Sequence, residues 1–262
     1  MANVTGTEQR SLLIAGNWKM HGTLNSLEHF ALRLAERVHE PGAQVLVCPA
    51  AVHLASAVRS FRGQKVAIGA QDLHEEALGA HTGCVSGEMI YDLGVRWVLV
   101  GHSERRAALG VSDAVVARKV LAALRAGLHP VLCVGENQAE RESGAAQERV
   151  ACQVQTVLDV VGTAAFSELT IAYEPVWAIG TGLTATPEQA QEVHAAIRGQ
   201  LAAADPALAA QLRILYGGSV KPDNAEALFS CPDIDGALIG GASLEADSFA
   251  DIIAAGEAAA VS

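Results

Sequence analysis

Several residues of this 262-residue chain stand where they could do chemistry. Glu174 follows an apolar run, Leu169 to Tyr173, and precedes Pro175, which keeps its backbone extended. A carboxylate that sheds water there has a raised pKa and can take a proton from carbon next to a carbonyl. Taken alone, a Glu at a strand end is more often a surface residue. His102, in Gly101-His102-Ser103-Glu104, closes a second apolar run and opens a helical stretch. The positive end of a helix dipole biases an imidazole towards its neutral form, which suits a hydrogen-bond donor to a substrate oxygen. A lone His is more often a capping residue, yet this is the one of nine histidines that ends a strand candidate, opens a helix and has a carboxylate nearby. Lys19 follows Asn17 and Trp18 after the first apolar run and could form a Schiff base or stay charged to hold an anion. The chain has four lysines, and none ends the Leu169 run, where Glu174 stands instead, so Lys19 is read as a local positive charge.

Gly217-Gly218-Ser219 and Gly240-Gly241 follow the last two apolar runs. Backbone N–H groups at such turns grip a phosphate, although one glycine pair alone could simply make a tight turn. Pro175 to Thr186 has a proline at one end, two glycines and an apolar Val-Trp-Ile tip, the composition of a hinged lid. Glu136 also follows a strand candidate.

These groups converge only if the intervening elements bring strand ends together. Eight apolar runs are strand candidates: Leu12 to Ala15, Val45 to Cys48, Val66 to Ala70, Trp97 to Val100, Val131 to Val134, Leu169 to Tyr173, Ile214 to Tyr216 and Ala237 to Ile239. Each is apolar on successive residues, as in parallel strands covered on both faces. Amphipathic stretches lie between, with Leu27, Phe30, Leu34 and Val38 on one face, and Val150, Val154, Val157 and Val161 on another. Thr186, Pro187 and Gln189 spell a capping box, and Gly127 ends a helix before the Val131 strand. Eight right-handed βαβ crossovers predict an α/β fold, a single (β/α)8 barrel, whose strand C-terminal ends share one catalytic face. On periodicity alone an open doubly wound sheet stays possible. No Pro, Ser or Gly-rich linker divides the chain, so residues 1–262 read as one domain with a polar extension over 1–10. The long Gln71 to Ser86 connection is a second candidate functional loop.

Composition bounds the partners. Eighteen Lys and Arg against 29 Asp and Glu leave a net charge of −11, which argues against nucleic acid. No apolar run approaches the roughly 18 residues of a membrane span and the first ten residues lack a secretion pattern, so a soluble cytoplasmic protein is expected. The five cysteines show no C-x-x-C spacing, which suggests neither disulfides nor a zinc site.

Read in order, Gly16-Asn17-Trp18-Lys19-Met20, Gly69-Ala70-Gln71-Asp72, Gly101-His102-Ser103-Glu104-Arg105-Arg106, Cys133-Val134-Gly135-Glu136, Ala172 to Gly182, Tyr216-Gly217-Gly218-Ser219 and Gly240-Gly241-Ala242-Ser243 resemble the triosephosphate isomerases over nearly the whole chain. The resemblance implies interconversion of dihydroxyacetone phosphate and D-glyceraldehyde 3-phosphate in glycolysis and gluconeogenesis, with no cofactor and no metal. It makes Glu174 the proton-carrying base and His102 the neutral electrophile, roles for which this family is itself the standard example. It assigns Asn17 and Lys19 to the enediolate and Glu104 to hydrogen-bonded support. Backbone N–H groups of Gly180, Ser219, Gly240 and Gly241 would hold the phosphate. The lid would comprise Pro175, Val176, Trp177, Ala178, Ile179, Gly180, Thr181, Gly182, Leu183, Thr184 and Ala185. Tyr216 and Ser219 would latch it closed, and Glu136 would hold Trp177 when it is open.

Some positions depart from the family pattern. His21 and Leu183 replace an Asn and a Lys, whereas His81 and Cys84 replace a Phe and a Glu in the loop that reaches into a partner subunit. The resemblance implies a symmetric homodimer in which Thr82 touches the Asn17 region of the partner. The missing Glu would pair with Arg105, so either the contact is weaker here or Arg105 has another acidic partner. A barrel aldolase with a Schiff-base lysine and a catalytically silent phosphate-binding protein are the competing readings. The first needs a buried amine, and the second would most simply lack Glu174 or His102.

Overall fold

The computed structural model describes residues 10–179 and 184–261. Eight parallel strands close into a barrel in sequence order: β1 (Leu13–Asn17), β2 (Gln44–Cys48), β3 (Val66–Ala70), β4 (Trp97–Val100), β5 (His129–Val134), β6 (Thr170–Tyr173), β7 (Ile214–Tyr216) and β8 (Gly236–Ile239). Closure is made by β1, which pairs with β2 through Asn17 and Cys48 and with β8 through Leu13 and Gly236. All eight expected strands are present and the open sheet is excluded. The first strand runs two residues further than its apolar run, to Asn17, because pairing with Cys48 continues the ladder past Ala15.

Alternate residues of each strand serve two cores. Leu13, Ala15, Leu46, Cys48, Leu99, Val131, Cys133, Ala172, Leu215 and Leu238 pack inside the barrel. Ile14, Val45, Val47, Val98, Val100, Leu132, Val134, Ile171, Tyr173, Ile214 and Tyr216 belong to the outer core shared with the helices. Burial on both faces is why the strands read as unbroken apolar runs. The apolar stripe Leu27, Phe30 and Leu34 is the buried face of helix Leu24–Arg37, and Val38 is its C-cap. Val150, Val154 and Val157 are buried on helix Ala146–Phe166, which is kinked at Gly162.

Local signals act as expected where the connection after β6 rejoins the scaffold. Helix Pro187–Ala204 begins with the Thr186 capping box and proline in its first turn. The preceding connection is not wholly irregular, because Val176–Ala178 forms a 3-10 turn directly after Pro175. Its central residues 180–183 lie outside the described residues. Among the described residues, no helix is long and apolar enough to cross a membrane.

Candidate active site

The C-terminal ends of the strands surround a cavity of about 340 Å³ lined by Asn17, Lys19, His102, Glu174, Ala178, Ile179, Ser219, Lys221, Gly240 and Gly241, among others. This volume is at the small end of the range for ligand pockets. Asn17 closes β1, His102 and Glu174 follow β4 and β6, and the two glycine segments follow β7 and β8. A 3-10 turn starts at Gly241, which lines the cavity together with Gly240 and Ala242.

Glu174 is only 2% exposed. Its Oε2 accepts from the Ser103 backbone N–H at 2.9 Å, and its Oε1 lies 2.8 Å from His102 Nε2. The backbone leaves room for it through glycines. A Cβ at Gly135 would lie 1.8 Å from the Glu174 carbonyl oxygen, and one at Gly217 would lie 2.9 Å from Glu174 Cγ. A side chain at Gly135 would force the Glu174 backbone to move, and one at Gly217 would push on the Glu174 side chain itself.

His102 is the N-cap of helix Ser103–Leu109, and its Nδ1 accepts the Glu104 N–H at 3.2 Å. A neutral imidazole carrying its proton on Nε2 satisfies both contacts. Burial lowers the His102 pKa, but the Glu174 carboxylate and its hydrogen bond, with help from Glu104, outweigh burial and turn the net direction upward. That differs from the bias towards neutrality expected from the helix terminus, and the cause is the anion 2.8 Å away.

Lys19 donates from Nζ to Glu104 Oε1 at 2.7 Å. Burial raises the Glu104 pKa, but the hydrogen bond and charge of Lys19 prevail and hold it below the ordinary carboxylate value. This ion pair suits a fixed positive charge, not the neutral amine that a Schiff base needs. The Lys19 backbone has φ 52°, the left-handed region that a side chain disfavours. Two bonds hold it there: its N–H donates to Asn17 Oδ1 at 3.0 Å, and its carbonyl accepts from Gln71 Nε2 at 2.9 Å.

The start of the connection after β6 is tied to the scaffold. Trp177 Nε1 and Tyr173 Oη both donate to Glu136 Oε1, at 2.8 and 3.0 Å, and Val176 N donates to the Glu136 carbonyl. Burial raises the Glu136 pKa against these donors. At the far end of that connection, Ala185 is buried and its backbone faces the Tyr216 hydroxyl, while Thr184 is exposed. Gly180, Thr181, Gly182 and Leu183 lie outside the described residues.

Thr82 and Cys84 lie in an exposed loop, away from the cavity. Arg105 pairs with Asp72 at 2.7 Å, and Asp72 also holds Lys119 Nζ. Arg105 therefore has an acidic partner in its own chain, one of the two alternatives left open above. Two residues near the cavity carried no assignment from the sequence. Gln71 bridges the carbonyls of Lys19 and Cys48, at 2.9 Å each, and its place in the long loop after β3 was the available signal. Lys221 lines the cavity as a second cation, two residues after the Ser219 turn.

The coupling between Glu174 and His102 gives a direct pH prediction. Glu174→Gln removes the charge that raises the His102 pKa, so His102 should titrate at lower pH in the variant than in the unmodified protein, as followed by imidazole NMR. An equal or higher midpoint would show that burial, not Glu174, governs the ring.

The family described as Triosephosphate isomerase matches residues 12–256. A protein named triosephosphate isomerase from Thiobacillus denitrificans is 54% identical over 93% of this chain and 97% of the relative. Another from Pseudomonas paraeruginosa is 52% identical over 93% and 97%, and one from Xanthomonas campestris pv. campestris is 49% identical over 95% and 99%. With a closed (β/α)8 barrel and full-length relatives of this identity, the chain is an isomerase that belongs to the triosephosphate isomerase family.

Proposed function

We propose that the chain interconverts dihydroxyacetone phosphate and D-glyceraldehyde 3-phosphate in the cytoplasm through an enediolate, with Glu174 moving the proton. The observation that carries the reading is a dehydrated carboxylate, bonded to an imidazole and a helix N–H, at the mouth of a cavity with one cationic and one glycine-rich side. The substrate carbonyl takes the place of Glu174 at His102 Nε2. The freed carboxylate removes a proton from the adjacent carbon, and the electron pair moves onto the carbonyl oxygen. Nε2–H and the Lys19 ammonium stabilise that oxygen, Asn17 shares the position, and Glu104 holds Lys19 in place. His102 Nε2 passes the hydroxyl proton from one substrate oxygen to the other, and return of the proton from Glu174 to the neighbouring carbon, as the second oxygen becomes the carbonyl, completes the exchange. In this cycle His102 loses its anionic neighbour as Glu174 turns to substrate, which returns the ring to the neutral electrophile the role requires.

Phosphate binding falls to the backbone N–H groups of Gly180, Ser219, Gly240 and Gly241. An enediolate beside a phosphate-bearing carbon can expel that phosphate, so Pro175 to Ala185 act as a lid that holds the group in plane and excludes water. The Trp177–Glu136 bond belongs to the open lid, and Tyr216 with Ser219 latches the closed one. The reading treats the chain as one domain, supported by a barrel whose first strand pairs with its last.

We also read the protein as a symmetric homodimer. Support comes from large apolar side chains left exposed around the ends of β1 to β3, namely Met20 at 93%, Val52 at 84% and Leu78 at 83%. The Thr82 and Cys84 loop beside them is exposed throughout residues 79–84.

Three measurements follow. Turnover of glyceraldehyde 3-phosphate in D2O should yield dihydroxyacetone phosphate carrying deuterium at the carbon that gained the proton. Absence of turnover, or transfer whose lack of exchange persists when Ile179 to Leu183 are deleted, would contradict an enediolate and a carboxylate carrier. Deleting Ile179 to Leu183 should raise phosphate loss relative to isomerisation, and an unchanged product ratio would remove the lid's protective role. Dilution should cost mass and activity together, with the transition moved to lower concentration by Cys84→Glu. Identical dissociation in both forms would count against this loop as the subunit contact.

A further inference from the structure

His194 has no place in the chemistry above, yet it is completely buried on helix Pro187–Ala204, which begins where the lid's second hinge ends. Its ring meets Tyr173 edge-on, at 5.7 Å between centroids and 86° between planes. It meets Tyr216 at 6.4 Å and 41°. These tyrosines serve opposite ends of the lid: Tyr173 donates to the Glu136 oxygen that also receives Trp177, and the Tyr216 hydroxyl faces the Ala185 backbone.

The ring is fixed from its other side. His194 Nδ1 lies 3.0 Å from the Asp233 carbonyl oxygen, which can only accept, so Nδ1 carries the proton. Asp233 is in turn clamped by the same helix, through Arg198 Nε at 2.6 Å and Gln191 Nε2 at 2.6 Å. Burial, reinforced by the charge of Arg198, lowers the His194 pKa to about 4, so the ring is neutral and Nε2 offers a lone pair. Among the described residues Nε2 finds no donor, and the buried Tyr216 hydroxyl finds no acceptor. A buried donor and a buried acceptor left unpaired on neighbouring rings are uncommon in a folded core.

We propose that His194 is a positioning residue for the lid, an anchored imidazole packed against Tyr173 and Tyr216 that sets both hinges from a single point. The inference rests on the reading of Pro175 to Ala185 as a lid over a triose phosphate. His194 touches neither substrate nor the reacting atoms. It acts by packing against the tyrosine that bonds Glu136 and the tyrosine that faces Ala185, so its loss should affect closure more than the proton-transfer step.

Two variants separate this role from plain structural support. His194→Asn keeps an N–H donor for Asp233 but removes the ring from both tyrosines. His194→Phe keeps a ring of similar size but loses the anchor. In folded protein, checked by circular dichroism, each should increase the share of turnovers ending in phosphate elimination roughly three- to tenfold, the scale of a lost packing contact. KM for glyceraldehyde 3-phosphate should rise more than kcat falls, and the Asn variant should be the more affected. A folded variant of either type with the wild-type elimination share and KM, even at lower thermal stability, would overturn the proposal. If one variant does not fold, the other decides. Absence of isomerisation by the wild type in the same assay would overturn the triose phosphate reading, and this inference with it.

Discussion

The contact between the Glu174 carboxylate, the His102 imidazole and the Ser103 N–H is the interaction on which the rest of the site depends. It joins the end of β6 to the end of β4 across the barrel mouth, so it exists only because eight parallel strands close with their C-terminal ends on one side. A carboxylate so buried would be costly without its two donors. The same low-dielectric setting makes each of its contacts strong and makes the His102 pKa follow Glu174. Gly135 leaves room for the Glu174 backbone and Gly217 for its side chain and the Tyr173 carbonyl, so replacing either would shift the end of β6 and the carboxylate it carries.

Around that contact the charges are local. A chain with a net charge of −11 repels polyanions as a whole, yet its cavity carries Lys19, Lys221 and the N–H groups after β7 and β8. Lys19 reaches the site only by adopting a left-handed backbone, with Asn17 and Gln71 holding it there. Strain stored beside a binding group and balanced by neighbouring hydrogen bonds is a common cost of preorganisation.

Much of this was legible in the residues themselves. The strands stood out because burial on both faces makes them continuously apolar, and the site followed once strand ends were read together. The Thr186 capping box is a local signal and acts as one in the structure. What escaped the sequence depends on distant partners. The Gln71 amide has meaning only where β2 and the turn after β1 bring two carbonyls within its reach. The pairing of Arg105 with Asp72 joins residues far apart in the chain, and the upward pull on His102 required knowing that Glu174 turns towards it. Nothing in the segment around His194 points to two tyrosines on other strands, so its contacts with them emerge only from the fold.

The most direct test is the kinetics of Glu174→Asp, assayed by conversion of glyceraldehyde 3-phosphate coupled to a dihydroxyacetone phosphate reductase. Shortening the side chain withdraws the carboxylate by roughly one bond while leaving the cavity and its anion grip in place. Misplacement on that scale costs about 10²-fold or more in a proton-transfer step. We expect kcat to fall by at least that factor with KM little changed, and an unchanged kcat would contradict the assignment of Glu174 as the base.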